Sequence, residues 1–259
     1  MSAENSREAV AQYIDDGNLN ARLRLHRRYT PPGEDMLDVI WSRYQFSRGA
    51  RVLDVGCGNG TFWRHPVAPS ALDLDLTLVD ASPGMLAAAR ESLDGHLEAT
   101  FEQADASDLP FDDNAFDAVL AHFMLYHVED KKRALAEFAR VTRDWCGIVL
   151  LGPGSMVRVF DLLQEIDPSV TLPVSDADRF TSDDAAPMIE GAFARVETTA
   201  YEYTMAVTDA ADLLAYVQSS GFELSTEHWQ AYERRVEDEI RREGSFGVRK
   251  RCTLFKCFV

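Results

Sequence analysis

Hydrophobic positions in this chain change their period several times. Val52, Leu53 and Val55 form a short apolar run that breaks into glycines, the pattern of a strand buried on both faces of a parallel sheet. Similar runs at residues 75–80, 99–104, 118–121 and 146–151 predict further strands. Between them the spacing is helical. Met36, Leu37, Ile40, Trp41 and Tyr44 share one face, as do Ala134, Leu135, Phe138, Ala139 and Val141 within residues 131–143. Two helices, 6–14 and 18–28, precede the first strand, separated by Asp15-Asp16-Gly17. After residue 152 the pattern reads helix at 156–166, loops and a short helix around the acidic 175–184 run, a strand-like 193–205, helices at 209–219 and 227–242, and a last alternating strand at 252–258. Strands alternating with helices place the chain in the α/β class.

Length and composition narrow this to one domain. The 259 residues, 46% hydrophobic and 27% charged, are enough for one sizeable core with an appendage. A formal net charge of -17 argues against a nucleic-acid backbone or an anionic membrane as a partner, since both would be repelled. Cys57, Cys146, Cys252 and Cys257 show no C-x-x-C pair and no metal-ligand spacing, so no metal site is expected and free thiols of a reducing cytoplasm are. Residues 1–7 are polar and lack the apolar run of a leader. A soluble cytoplasmic protein, monomer or homodimer, is expected.

The chemistry centres on Asp54-Val-Gly56-Cys57-Gly58-Asn-Gly60. Glycines at the mouth of a strand allow positive φ and close approach of a ligand to the backbone. Thr61 to Arg64 reads as the start of a helix whose free N–H groups would point at an anion. A dinucleotide turn requires G-x-G-x-x-G, and Thr61 stands where its last glycine belongs, which disfavours a nicotinamide cofactor. The D-x-G-x-G-x-G pattern instead resembles motif I of the class I S-adenosylmethionine (SAM) dependent methyltransferases. Three more stretches carry that resemblance: Leu78 to Leu86, with Asp80-Ala81-Ser82-Pro83-Gly84-Met85; Asp105 to Asp117, with Leu109-Pro-Phe-Asp-Asp-Asn-Ala-Phe-Asp117; and Leu125 to Asp130. It is similar above all to the small-molecule group related to the ubiquinone and menaquinone methyltransferases.

The resemblance implies a Rossmann-like, doubly wound, seven-stranded sheet with the last strand antiparallel, N-terminal helices and a helical insertion on the substrate side. Residues 1–45 would form the helical cap, 46–152 the SAM-binding half, and 153–259 the insertions and last two strands of a single domain. It implies that Asp54, Gly56, Cys57 and Gly58 receive the methionine part of the cofactor. Asp80, beside Ala81, would grip the ribose, with Met85 near the adenosine. Asp105 would accept from the adenine amine and Ala106 would meet the ring. Asp80 has a competing role as a helix cap, although Ser82-Pro83 fills that role better. For Asp105 the competing role is a polar loop. His122, at the tip of the fourth strand, would lie on the cofactor side near the sulfonium.

For proton transfer the candidates are His127 and, on the N-terminal helix, His26, because imidazole titrates near neutral pH. Arg22 and Tyr29 would face the pocket with His26. The competing roles are a buried histidine holding its loop and an arginine-rich helix packed through its leucines. Arg179, Phe180, Tyr201 and Tyr203 would face the acceptor or fill the core. The implied reaction moves a methyl group from SAM to an O, N or C atom of a small-molecule acceptor, with S-adenosylhomocysteine as product. The alternative is a non-catalytic SAM-binding subunit serving a partner enzyme.

Overall fold

The computed structural model describes residues 17–66, 73–170, 180–222 and 224–259. The helix expected at 6–14, Pro69 in the first crossover, and Arg179 with most of the acidic run before it lie outside the described residues.

Seven strands form one sheet: β1 (Arg51–Val55), β2 (Asp75–Asp80), β3 (Thr100–Gln103), β4 (Phe116–His122), β5 (Thr142–Leu151), β6 (Arg195–Val207) and β7 (Phe246–Phe258). Their spatial order is β3-β2-β1-β4-β5-β7-β6. The first five are parallel, and β7 runs antiparallel to both β5 and β6. This is the doubly wound arrangement implied by the motifs, with its switch point between β1 and β4. The described helices are α1 (Gly17–Tyr29), α2 (Met36–Arg43), α3 (Pro83–Leu93), α4 (Lys131–Val141), α5 (Val157–Ile166), α6 (Ser182–Ala192), α7 (Ala210–Gln218) and α8 (Thr226–Glu243). None is long and apolar enough to cross a membrane.

The core has three parts. Alternate residues of the central strands, Leu53, Val55, Val119, Ala121 and Ile148, pack on one face against Leu135 and Phe138 of α4 and Ile189 of α6. The others, Val52, Leu78, Leu120 and Val149, pack on the opposite face against Ile40 and Trp41 of α2 and against Trp63. The third part lies beyond the parallel strands. β5 ends at Leu151, paired with Cys252, while β6 and β7 stay paired as far as Val207 and Phe246. This two-stranded ribbon overhangs the carboxyl edge, and α1, α5, α7 and α8 pack on it through Leu25, Val159, Leu163, Leu213 and Tyr232. The sequence reading began β7 at residue 252 and so missed this overhang.

One element differs in kind from its expectation. Thr61–Arg64, expected as the start of a helix, is a single turn of 3-10 helix. Pro66 follows at once, and the residue before a proline is pushed out of the helical region.

Candidate active site

The glycine turn sits at the carboxyl end of β1 and is tied to β2 through the backbone. Gly56 N and Cys57 N both donate to Val79 O, at 2.7 and 3.0 Å. Gly56 has φ +69, and a Cβ there would lie 2.6 Å from Cβ of Met124. Both facts demand glycine. Gly58 carries Leu19 of α1 against its open side, 3.2 Å from where a Cβ would be.

Two carboxylates flank this turn. Asp80, at the tip of β2, accepts from Gly58 N at 3.0 Å and from Ser82 N at 2.9 Å, one bond to each oxygen. Each oxygen keeps lone-pair capacity for a further donor. Ser82 caps α3 by accepting from Met85 N at 3.2 Å, so capping the helix does not occupy Asp80. Asp54 is buried at 2% exposure and accepts from the Trp63 indole N–H at 2.8 Å. Burial, with the nearby charge of Asp80 adding to it, pushes its pKa up to about 7 against the Trp63 bond. Burial also raises Asp80. Two desolvated carboxylates beside one backbone turn form a site that a positively charged ligand stabilises. A cofactor with an ammonium, a sulfonium and a ribose diol fits that pair of acceptors.

The first N–H of the 3-10 turn, expected to point at a ligand, is taken by the chain itself. The Asn59 side chain accepts from Thr61 N at 3.3 Å and from its hydroxyl at 2.7 Å, and it bonds Asn20 of α1 at 3.2 Å. The turn is therefore buttressed by side chains and roofed by α1.

Asp105 lies at the same edge as Asp80. β3 is in register with β2 at Asp80 and Gln103, and the Gln103 side chain donates to Ala81 O at 3.0 Å. The Asp105 carboxylate is exposed, with one oxygen accepting from Ser107 N at 2.8 Å and its hydroxyl at 2.6 Å. Ala106 and Met85 are buried. Cys57 is half-buried, and burial holds its thiol pKa well above the ordinary value, so it is no nucleophile at neutral pH.

The histidines divide by environment. His122 turns its ring into an aromatic cluster under the turn, 2.6 Å from the Tyr44 hydroxyl, stacked on Tyr44 and edge-on to Phe62. Burial pushes its pKa down to about 3, so it is neutral and holds the strand tip to α2. Phe123 then takes φ +53, a strained geometry for an aromatic residue at the point where β4 enters the cleft. His127 lies on the next turn, its pKa lowered to about 4 by burial and then by Arg22 and Lys131.

His26 shares one face of α1 with Leu19 and Arg22. Its ring meets Tyr216 edge-on at 6.1 Å, and its Nδ1 is enclosed without a hydrogen-bond partner. Burial, then Lys250, holds its pKa well below 6.5. Arg22 donates to Ser219 O at 2.8 Å and to its hydroxyl at 3.2 Å, at the end of α7. Tyr29 packs in the ribbon core and donates to Asp212 at 2.9 Å, so it anchors the lid and does not face the cleft.

Sequence reading missed two features of the site. Arg140 of α4 holds the loop before β4, donating to Phe111 O at 2.7 Å and Leu109 O at 3.0 Å. Lys250 is buried at 6% exposure. Its signal was present in the alternation Phe246, Val248, Lys250, Cys252, Leu254, which puts a lysine in a row of apolar positions.

Comparison with known proteins points to one family. The family described as "Methyltransferase domain" matches residues 53–146, which run from β1 into β5. A demethylmenaquinone methyltransferase of Clavibacter sepedonicus is 32% identical over 184 residues, covering 70% of this chain and 68% of that one. An O-methyltransferase of Aspergillus nomiae is 33% identical over 143 residues, covering 51% and 59%. This chain thus spans about two thirds of the first and less of the second. Among solved structures, a phosphoethanolamine N-methyltransferase of Haemonchus contortus in complex with SAM superposes with TM-score 0.60 at 19% identity, over 95% of this chain and 57% of that one. The fold, the glycine turn between its two carboxylates and the relatives together make the chain a member of the class I SAM-dependent methyltransferases, enzymes that transfer the methyl group of SAM.

Proposed function

We propose that Asp54, Gly56, Cys57 and Gly58 receive the amino-acid end of SAM, that Asp80 holds its ribose hydroxyls, and that Asp105 and Ala106 meet the adenine, with Met85 beneath. The acceptor enters between α1, the tip of β4 and the β6–β7 ribbon. The observation that carries this reading is the bond from Gly58 N to Asp80, which fixes a carboxylate over the turn with Asp54 buried beside it.

Held by these residues, SAM would supply an electrophilic methyl group to the acceptor's nucleophilic atom, with S-adenosylhomocysteine as the other product. The protein's contribution is then alignment and exclusion of water. Leu19 on Gly58 and Met124 on Gly56 close the cofactor side, while Arg22 fastens α1 to α7 over it. His127 and His26, held neutral by burial, serve as hydrogen-bonding walls of the acceptor space; both are weak bases near neutral pH.

Calorimetric titration with S-adenosylhomocysteine and, separately, with NAD tests the assignment. Micromolar binding of the first, lost in Asp80→Ala, with none of the second, supports it. Binding of NAD alone, or S-adenosylhomocysteine binding that Asp80→Ala leaves unchanged, overturns it. Release of S-adenosylhomocysteine across a panel of phenols, amines and carboxylates then identifies the acceptor atom.

A further inference from the structure

Tyr44 is the first residue past α2, and its ring is buried in the aromatic cluster under the glycine turn. Its hydroxyl reaches beyond that cluster's packing. It lies 2.6 Å from Nε2 of His122, the last residue of β4. A third element makes room for this approach: on β5, a Cβ at Gly147 would overlap the Tyr44 hydroxyl and the ring carbon that carries it. Glycine weakens the interior of a strand, and here it marks a close approach. Three segments distant in sequence therefore converge on one buried hydrogen bond.

That bond has a direction. Burial, then Cys146, holds the phenol pKa well above its ordinary value, and burial lowers that of the imidazole to about 3, so both rings are neutral near pH 7. With the hydroxyl donating to Nε2, the ring proton stands on Nδ1, and Nδ1–H is the one donor of the pair left without a partner among the described residues. With Nε2–H donating instead, both the tyrosine O–H and the bare Nδ1 would be left over. The first arrangement strands fewer buried polar groups, and it is the favoured one.

The chain beyond His122 is strained. Phe123 has φ +53, a conformation that a residue with a side chain keeps only where its surroundings impose it. On one side its N–H is fastened to Val149 O at 2.8 Å. On the other stands the His122 ring, held by Tyr44 and met edge-on by Phe62. Met124 follows, and its Cβ lies 2.6 Å from where a Cβ of Gly56 would be. We propose that Tyr44 is a positioning residue for the cofactor: by donating to His122 Nε2 it fixes that ring as its Nδ1–H tautomer, keeps Phe123 in the left-handed region and so holds Met124 against the glycine turn. This rests on the methyl-transfer reading of that turn and adds to it a residue ahead of the first motif.

Calorimetric titration of the full chain with S-adenosylhomocysteine tests it, with a thermal melt of each variant beside it. Tyr44→Phe, which removes one oxygen and keeps the ring, is expected to bind about tenfold more weakly. Gly147→Ala, which displaces the hydroxyl and leaves both rings in the chain, weakens binding in the same direction. His122→Leu shows the loss too, and Tyr44→Phe adds nothing to it, as for residues that act through one another. His122→Gln, whose amide oxygen can accept from the same hydroxyl, binds better than His122→Leu. In the wild type, a long-range proton–nitrogen correlation spectrum of histidine-labelled chain shows His122, assigned by the signal lost in His122→Gln, protonated at Nδ1 and bare at Nε2. Wild-type affinity in Tyr44→Phe with only a lower melting temperature, losses that add in the double variant, or a proton on Nε2 overturns the inference. Failure of S-adenosylhomocysteine to bind the wild type overturns the cofactor reading instead, and the wild-type spectrum still decides the hydrogen bond.

Discussion

The parallel half of the molecule and the overhanging ribbon each bury one formal charge, and the signs are opposite. In the parallel half it is Asp54, behind a backbone turn, braced by Trp63 and by neighbours within about one βαβ unit. In the ribbon it is Lys250, whose surroundings come from α1, the tip of β4 and β6. The first arrangement is local and suits one fixed ligand. The second is assembled from distant segments and can vary without disturbing the first.

The comparison breaks most visibly at Asp80. Its carboxylate holds the glycine turn and, in our reading, two ribose hydroxyls, each charge-assisted bond contributing about 1.5 to 3 kcal/mol. Asp80→Ala is expected to weaken S-adenosylhomocysteine binding at least about a hundredfold by calorimetry. Hydrogen exchange of the ribbon strands should not change. Faster exchange in β6 and β7 would show that the halves are not separable.

Gly56→Ala comes next. The φ of +69 costs a side-chain-bearing residue about 1 to 2 kcal/mol, and the new methyl meets Met124 Cβ at 2.6 Å, for a total of about 3 kcal/mol or more. A lowered midpoint in urea denaturation checks this. Met124→Gly in the same chain should restore part of the loss, while the φ term remains.

These two positions also show what the sequence disclosed. The placement of Asp54 to Gly60, Asp80 and Asp105 at one edge of the sheet was legible because strand, turn and acid lie in order along the chain. The need for glycine at 56 was legible as a motif letter, but its cause, the Met124 side chain from the turn after β4, was not. Lys250 and His26 are brought together only by the return of β7, and no spacing in the chain reports that. The helix start expected at Thr61 to Arg64 became one 3-10 turn for a local reason, the Asn59 side chain at its head and Pro66 at its end.

Asp54 sharpens the comparison through pH. Its folded pKa of about 7 lies above the ordinary 3.8, so between those values the folded state keeps a proton that the unfolded chain has lost. Wild-type stability therefore falls as pH rises through this window, by up to about 4 kcal/mol, and levels off above it. Asp54→Asn, which does not titrate, should gain stability over wild type as pH rises from 5 to 8. It should also bind S-adenosylhomocysteine about tenfold more weakly, because the amine of the ligand loses its counter-charge. Thermal melts at several pH values, with and without ligand, read both effects. A gap between the proteins that does not grow with pH would place the titration elsewhere.

The smallest effect is expected at the joint between the halves. Arg22 donates to the carbonyl and hydroxyl of Ser219, a buried residue at the negative end of the α7 dipole. Arg22→Ala leaves that carbonyl without its cationic partner, at a cost of about 1 to 2 kcal/mol, borne by the lid alone if the halves are independent. Amides of α1 and of the last turn of α7 should then exchange about tenfold faster, and KM for the acceptor should rise, while β1, β2 and β4 keep their protection and S-adenosylhomocysteine affinity changes little. Equal acceleration in the parallel strands would mean that α1, through Leu19 on Gly58 and Asn20 on Asn59, transmits the loosening of the lid straight into the cofactor turn. The two halves would then belong to one cooperative unit.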